Sequence, residues 1–571
     1  MLVKRWIKQE ASASLRDLLC RELSVFPITA DVLANRGIGS VPEAEKFLRV
    51  SLSDLTDPFM LSGMDRVVSR VLRAVRDREA ILIFGDYDAD GITATALLVQ
   101  FFKDIGVNAR FYIPRRMEEG YGISLSALER LRAAGVGLLI TVDCGISSVE
   151  EVRAARAMGM DVIITDHHEP PDILPDAYAI INPCLDGPGC PFSGLAGVGV
   201  ALKLAQAVRA GLEGKDKAGP GIDNGLVKYL DLVALGTVAD VVPLKGENRI
   251  LVKHGLDLLR MSPRPGIRRL KEVSGVKSAG MSSGTVSFQM APRLNASGRL
   301  GEADAGVRLL LTDDPDEAEL IAGRLDTMNR ERQKIEEDIL DEARSMILSG
   351  SGHECPSIVL ASDRWHQGVI GIVASKLVDE FYRPTVLISM SDGVGKGSAR
   401  SIPAFHLYNG LEKCSAHLEG FGGHKYAAGL SIREGSLGPF REQFDGLVKD
   451  TLSIEDFVPF VKIDGSVRLG ELGMDLYEEL SMVAPFGAGN PEPVLQAGKL
   501  EVMYPKVVGR NHVRMKLAQD GFSMGAICFN MGPSYQRLAM GRVYVDAAFC
   551  LEANEWQGET RLQLNVKDIH F

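Results

Sequence analysis

AILIFGDYDADG, residues 80–91, is the stretch from which the fold can be read. A short apolar run leads into three alternating aspartates, Asp86, Asp88 and Asp90, closed by Gly91. The run is too short for an ordinary helix and predicts a strand buried on both faces. Four similar runs follow: ARFYI (109–113), GLLITV (137–142), DVIIT (161–165) and AYAII (177–181), with helical stretches between most of them. Strand and helix thus alternate from about 66 to 212, the signature of an α/β domain with a mainly parallel sheet. Ligands of such sheets bind beyond the carboxyl ends of the strands.

Three polar clusters stand at those ends. Asp86, Asp88 and Asp90 follow the first run, Asp143 in VDCG follows GLLIT, and Asp166, His167 and His168 in TDHH follow DVIIT. Carboxylates gathered at one sheet edge repel unless a cation sits among them. Oxygen ligands with one or two imidazoles suit Mn²⁺ or Mg²⁺. The spacing DxDxDG also opens a calcium-binding EF-hand, but that loop needs a glutamate at its twelfth position, which here is Leu97, and a helix before it. One aspartate after a strand is often only a helix cap; three clusters after three strands predict a metal site. Asp240, in LDLVALGTVADVVPL (230–244), is either a further acid of the site or a turn residue closing a helix.

With 571 residues the chain is too long for one core. Residues 1–65 read as an N-terminal cap and 66–312 as the domain of the acidic clusters. Residues 313–350 hold one long helix over 314–348, with Asp314 as N-cap, Pro315 in the first turn and Glu317 closing a capping box. A helix of that length, polar on most faces, bridges domains more often than it lies within one. A second, glycine-rich α/β domain follows over 351–453, and strand-like alternation over 454–571 predicts a small β-barrel.

Composition is that of a globular protein, 46% hydrophobic and 24% charged. No run approaches the roughly 20 apolar residues of a membrane span, and the charged N-terminal stretch lacks the apolar block of a signal peptide. The expected location is the cytoplasm. None of the eight cysteines forms a CxxC pair, so reduced structural thiols are the better reading. The net charge of −11 argues against a nucleic-acid partner until its distribution is considered. Residues 261–300 carry Arg264, Arg268, Arg269, Lys271, Lys277, Arg293 and Arg299 against the single acid Glu272, next to an acidic stretch at 313–344.

GDYDADG, VDCG, TDHH and LGTVADVVPL resemble, in order, the four motifs of the DHH phosphoesterases, named for a triplet matching Asp166-His167-His168. PRLNASGRL (292–300), WHQGVIGIVASKL (365–377), GSARS (397–401), GGHKYAAG (422–429) and APFGAGNPEP (484–493) resemble later motifs of the RecJ-like branch. The likeness runs from about residue 80 to the end of the chain. It implies a parallel-sheet DHH domain, a linker helix, a DHH-associated α/β domain and a C-terminal OB-like barrel. It implies a 5′→3′ exonuclease that hydrolyses single-stranded DNA to mononucleotides with two Mn²⁺ or Mg²⁺ ions, in repair and recombination. Asp88, Asp90, Asp143, His167 and Asp240 would be metal ligands, Asp143 bridging. Asp86 and His168 would be further ligands or contacts to the scissile phosphate. Small-substrate members of the superfamily carry a histidine where this chain has Phe84, which favours the exonuclease branch.

Candidate DNA contacts are Arg116 and Tyr121, in the loop after the second strand, or else an ordinary loop arginine and a half-buried tyrosine. Others are Arg293, Asn295 and Arg299 in the matching PRLNASGRL motif, Ser398 and Arg400 in GSARS, and Gly423 and His424 in the glycine-rich loop. The resemblance further implies a monomer with a single-strand-binding protein and a RecQ-like helicase as partners. Two other readings remain open: a phosphodiesterase for oligoribonucleotides or cyclic dinucleotides, and an inactive scaffold that binds single strands.

Overall fold

The short N-terminal strand β1 (Arg5–Lys8) lies outside the sheet formed by the five apolar runs, namely β2 (Ile81–Gly85), β3 (Arg110–Tyr112), β4 (Leu138–Val142), β5 (Asp161–Thr165) and β6 (Ala179–Ile181). In this computed structural model, which describes residues 4–115, 119–120, 122–215, 218–277, 280–349, 355–556 and 559–571, every residue of β2 and β4 is buried. That is why they read as uninterrupted apolar runs. The strand order is β3-β2-β4-β5-β6, all parallel. After β2 the chain first adds β3 on one side, then crosses to place β4 on the other. The carboxyl ends of β2 and β4 therefore flank the point where the winding reverses, the usual crevice for a ligand.

By its contacts the chain divides into two units. One comprises Glu45–Arg330 with Met482–Glu492; the other comprises Met1–Ala44, Glu331–Ser481 and Pro493–Phe571. The first unit holds the β2–β6 sheet. Helices Ala89–Asp104, Gly197–Leu212 and Leu230–Ala239 pack against it in one large apolar core with Phe101, Phe102 and Tyr229.

In the second unit a five-stranded sheet has the order β10-β11-β9-β8-β7, made of β7 (Ile358–Ser362), β8 (Thr385–Ser391), β9 (Val394–Arg400), β10 (Gly420–Gly423) and β11 (Ala427–Arg433). Strand β12 (Phe460–Ile463) takes up β1 in parallel. After the two-residue β13 (Gly465–Ser466) come β14 (Leu495–Val508), β15 (His512–Gln519), β16 (Phe522–Cys528), β17 (Tyr544–Trp556) and β18 (Glu559–His570). These five pair in the order β14-β15-β16-β18-β17, and β17 returns to β14, so the barrel closes.

The long helix runs Pro315–Ser349. Ala318, Ile321, Ala322, Leu325 and Met328 belong to the core of the first unit, whereas Ile339, Leu340, Ala343 and Ile347 join Trp365 and Leu377 in a core of the second. Asp314 caps it through the Asp316 amide at 2.9 Å. The expected capping box is not made. Glu317 turns instead to the Thr312 hydroxyl at 2.6 Å and to Arg308 at 3.0 Å, because Thr312 brings a donor that the box geometry did not anticipate. Among the described residues no helix is long and apolar enough to cross a membrane.

Candidate metal centre

Each acidic cluster is held by a different local device. Asp88 is the N-cap of helix Ala89–Asp104, and its carboxylate accepts from the Asp90 and Gly91 amides at 2.9 and 3.1 Å. Asp90, one residue into the helix, is buried and accepts from the Gly197 and Val198 amides at 2.6 and 2.8 Å. Those amides open helix Gly197–Leu212, whose free N–H groups and dipole favour an anion. Asp143 leaves β4 in the left-handed region, φ 61°, a conformation that costs of order 1 kcal/mol and is retained at sites where geometry is functional. Asp240 caps helix Leu230–Ala239 at its C-terminus.

These side chains converge with the two histidines. His167 Nε2 lies 3.1 Å from Asp143, 3.6 Å from Asp240 and 3.9 Å from Asp90. Ligand atoms of three sets each lie within 4.8 Å of one another: Asp143, His167 and His168; Asp90, His167 and Asp240; Asp86, Asp88 and Asp143. Asp143 and His167 are each shared by two sets. The open choice at Asp240 is thereby decided geometrically: the residue ends a helix and also faces the cluster.

Asp166, fully buried, is not itself in any of the three sets. It accepts from the His167, His168 and Ile146 amides at 2.8, 3.1 and 3.0 Å and holds His168 Nδ1 at 2.8 Å. It is a positioning residue that holds the His168 imidazole directly and the His167 backbone through its amide. The sequence names it in the DHH triplet but gives no sign that it differs in task from its neighbours. Sequence reasoning also passed over Gly197 and Gly298. A Cβ at Gly197 would lie 2.7 Å from Asp143 Cβ, and one at Gly298 would strike the Tyr87 carbonyl, so both helices approach the acidic loops only as glycines allow.

The charges show how crowded the cluster is. Burial, with Asp88 beside it, pushes Asp90 up to about 7. Burial and the carboxylates of Asp90 and Asp88 push Asp143 well above the carboxylate range and Asp240 up to about 9. Burial, then the charge of His168, pushes His167 down to about 4. Burial opposes charging of His168 too, but the Asp166 hydrogen bond and charge outweigh it and hold it at about 9. Carboxylates that keep protons this strongly, around a neutral imidazole, form a hard oxygen-rich donor set that a divalent cation fits.

A pH dependence follows. Raised carboxylates bind protons more tightly folded than unfolded, so their stabilisation is full below about pH 4 and is lost as pH rises through about 7 and about 9. His168, also raised, acts in the same direction. His167 acts the other way only below its ordinary value of about 6.5. In EDTA, Tm is therefore expected to fall from about pH 7 to about pH 9, and Mn²⁺ is expected to remove the slope by replacing the protons. A flat melting profile in EDTA would contradict the crowding of these carboxylates.

The candidate DNA contacts fare differently. Arg116 and Tyr121 lie outside the described residues. Four cations of the basic stretch make contacts inside their own unit. Arg264 pairs with buried Asp231 at 2.8 Å, Arg269 with Glu272 at 2.7 Å and Glu319 at 2.9 Å, and buried Lys271 donates to Ser262 and two backbone carbonyls. Arg293 donates to Asp326 at 2.9 Å and the Val273 carbonyl at 3.1 Å. Asn295 accepts from the Ala89 amide at 2.8 Å, steadying the first turn of the helix that carries Asp90. Asn295 thus supports the site from helix Ala291–Leu300, on which Arg293 and the half-buried Arg299 also stand. Buried Asp231 and Asp326 recruited Arg264 and Arg293, a choice that charge counting along the chain does not see.

In the other unit, Ser398 and Arg400 lie on β9, and Arg400 donates to the Ser398 hydroxyl at 3.1 Å and the Ala399 carbonyl at 2.7 Å. The first turn of helix Ile370–Phe381 lies against them: a Cβ at Gly371 would stand 2.8 Å from Ser398 Oγ. Gly423 ends β10 with φ 140°, and exposed His424 follows it, its amide donating to Ala427 at 2.8 Å. Phe84, by contrast, is wholly buried in β2 and stacks on Tyr112 at 5.4 Å.

Comparison with known proteins gives three family matches: the N-terminal domain of the DHH family over residues 80–237, the DHHA1 domain over 356–450 and the RecJ OB domain over 463–568. The single-stranded-DNA-specific exonuclease RecJ of Bacillus subtilis is 38% identical over 99% of this chain and 70% of its own length. That of Escherichia coli is 37% identical over 95% of this chain and 96% of its own. The crystal structure of Thermus thermophilus RecJ in complex with Mn²⁺ superimposes with a TM-score of 0.85 at 30% identity, covering 99% of this chain and 79% of that one. Its complex with Mg²⁺ gives 0.79.

Proposed function

The chain belongs to the RecJ family of single-stranded-DNA-specific exonucleases, and from that premise we propose that it hydrolyses single-stranded DNA from the 5′ end and releases mononucleotides. The observation that carries this reading is the trio of overlapping ligand sets at the ends of β2, β4 and β5, with Asp143 and His167 shared between sets. Asp86, Asp88, Asp90, Asp143, His167 and Asp240 would hold two Mn²⁺ or Mg²⁺ ions. The ions, when bound, supply an activated water and neutralise charge on the phosphoryl oxygens. The protein's own part is to keep the carboxylates in register through the Gly197 and Val198 amides, and to aim His168 through Asp166. His168, held this way, would be a further ligand or a contact to the scissile phosphate.

Ser398, Arg400, Gly423 and His424 are proposed to hold phosphates of the strand, Arg400 pre-set by its bond to Ser398. Arg116, Tyr121, Arg293, Asn295 and Arg299 remain DNA contacts in this reading, and Asn295 also supports the Ala89 amide. Residues 66–312 would be the catalytic domain, 313–350 its linker helix, 351–453 the DHH-associated domain and 454–571 the DNA-binding barrel, with 1–65 as a cap. Kinship alone supports a cytoplasmic monomer that works with a single-strand-binding protein and a RecQ-like helicase in repair and recombination.

The test is digestion of a long single-stranded oligonucleotide labelled at either end in separate samples. With Mn²⁺, the 5′ label is expected to appear at once as mononucleotide while the 3′ label stays on a shortening strand; EDTA should silence both. Early release of the 3′ label would reverse the polarity. Cleavage of dinucleotides in preference to the long strand would replace the reading with a small-substrate phosphodiesterase.

A further inference from the structure

The segment Met482–Glu492 stands between helix Met474–Ser481 and β14, both in the second unit, yet it counts with the first. This excursion reaches the loop Asp240–Leu244. The Leu244 amide donates to the Ala488 carbonyl at 2.8 Å, and the Ser283 hydroxyl donates to the Phe486 carbonyl. A Cβ at Gly487 would stand 2.8 Å from Leu244 Cδ1, and one at Gly489 would stand 3.1 Å from Pro243 Cβ. The segment therefore packs closely on the Pro243-Leu244 end of the loop, where an added Cβ at either glycine would push on Leu244 or Pro243, and Gly489, at φ 71°, also needs the left-handed backbone.

It is also braced to keep that shape. Asn490, buried, donates to the Val483 and Pro485 carbonyls at 2.9 and 2.8 Å, and its backbone closes a turn with Gly487 through bonds of 2.9 and 3.1 Å. Arg249, 2% exposed, clamps the start of the segment. Its guanidinium donates to the Val483 and Met482 carbonyls at 2.7 and 3.1 Å and to the Phe47 carbonyl at 3.1 and 3.0 Å, with the Phe47 ring 3.7 Å beneath. A buried cation satisfied by carbonyls is an expensive device whose loss leaves several acceptors unpaired. On the other side of the loop, Val241 sits at φ 60° directly after Asp240. The loop is thus strained one residue after Asp240 and held four residues after it.

We propose that Met482–Glu492 is a strap that fixes the backbone of the Asp240 loop, so that Arg249, Gly487 and Gly489 are positioning residues for metal binding at Asp240. The proposal rests on the reading of Asp240 as a ligand. A loop held at one end only would let Asp240 swing away from His167, now 3.6 Å distant, and the cation would lose one donor. Outer supports of this kind are worth about 10–100-fold in metal affinity.

The experiment titrates Mn²⁺ into the full chain by calorimetry and electron paramagnetic resonance, comparing the parent with Gly489→Ala, Arg249→Met and Asp240→Asn. Gly489→Ala is the milder strap variant and covers the case in which Arg249→Met fails to fold. The expected result is that one Mn²⁺ binds about 10-fold or more weakly in Gly489→Ala, the other nearly as in the parent. KM for DNA should hold while kcat falls and is recovered by excess Mn²⁺. Combined with Asp240→Asn, the strap change should add little further loss. Unchanged Mn²⁺ binding in a strap variant with lowered Tm would overturn the proposal, as would a strap effect that adds in full to Asp240→Asn. If Asp240→Asn alone binds both ions like the parent, the ligand reading fails first and takes the strap with it.

Discussion

Asp143→Asn is expected to lower hydrolysis of single-stranded DNA on the order of 10⁴-fold while making the metal-free protein more stable. Both effects have one cause. Asp143 is buried beside Asp90, Asp88, Asp86 and Asp240, and its carboxyl is pushed far up by burial and then by those charges. In the metal-free protein that is a standing cost; with cations present the same charge is what holds them. Asparagine keeps the shape and tolerates the left-handed backbone at φ 61°, so the change isolates the charge. Steady-state rates with Mn²⁺ and melting curves in EDTA read the two effects separately. Relief of the crowding should raise Tm by roughly 1–2 °C for each kcal/mol recovered. A variant within tenfold of the parent rate would remove Asp143 from the centre of the mechanism.

Gly197→Ala is expected to give the next largest loss, about 10²-fold, without touching a charged group. The added Cβ would lie 2.7 Å from Asp143 Cβ and 2.8 Å from its Oδ1, closer than real Cβ atoms come, so the helix or the aspartate must shift. The helix cannot move freely, because its first two amides carry Asp90 at 2.6 and 2.8 Å. Either displacement pulls one carboxylate out of register with the other. Far-UV circular dichroism should match the parent, and the Mn²⁺ response of the rate should move to higher concentration. Partial rescue by excess Mn²⁺ separates this steric loss from Asp143→Asn, where a ligand charge is gone. Parental Mn²⁺ dependence in Gly197→Ala would show that the close packing of helix on aspartate is incidental.

Much of the site was legible because its signals are local. A parallel strand buried on both faces must be apolar along its whole length, so ILIFG, LLITV and DVIIT stand out. The acids follow directly, and strand ends in a parallel sheet share one edge, so Asp86, Asp88, Asp90, Asp143 and His167 could be grouped before any coordinates. The long helix declared itself by period, Asp314 and Pro315.

What the sequence by itself determined, then, is the sheet, the edge that carries the acids, and the chemistry those residues favour. Only the tertiary structure decided what each remaining side chain is paired with. Arg293 goes to Asp326 and Arg264 to Asp231, partners 33 residues away in each case. Glu317 chose Thr312 over its own helix cap. Asp240 became part of the cluster because a helix ends beside β5's histidine, and Met482–Glu492 joined a unit to which its flanking residues do not belong. The reason is the range of the forces. Backbone preference and apolar periodicity act over a few residues and can be read along the chain. Ion pairs, amide capture by buried carboxylates and close glycine contacts depend on distances that exist only once the chain has folded.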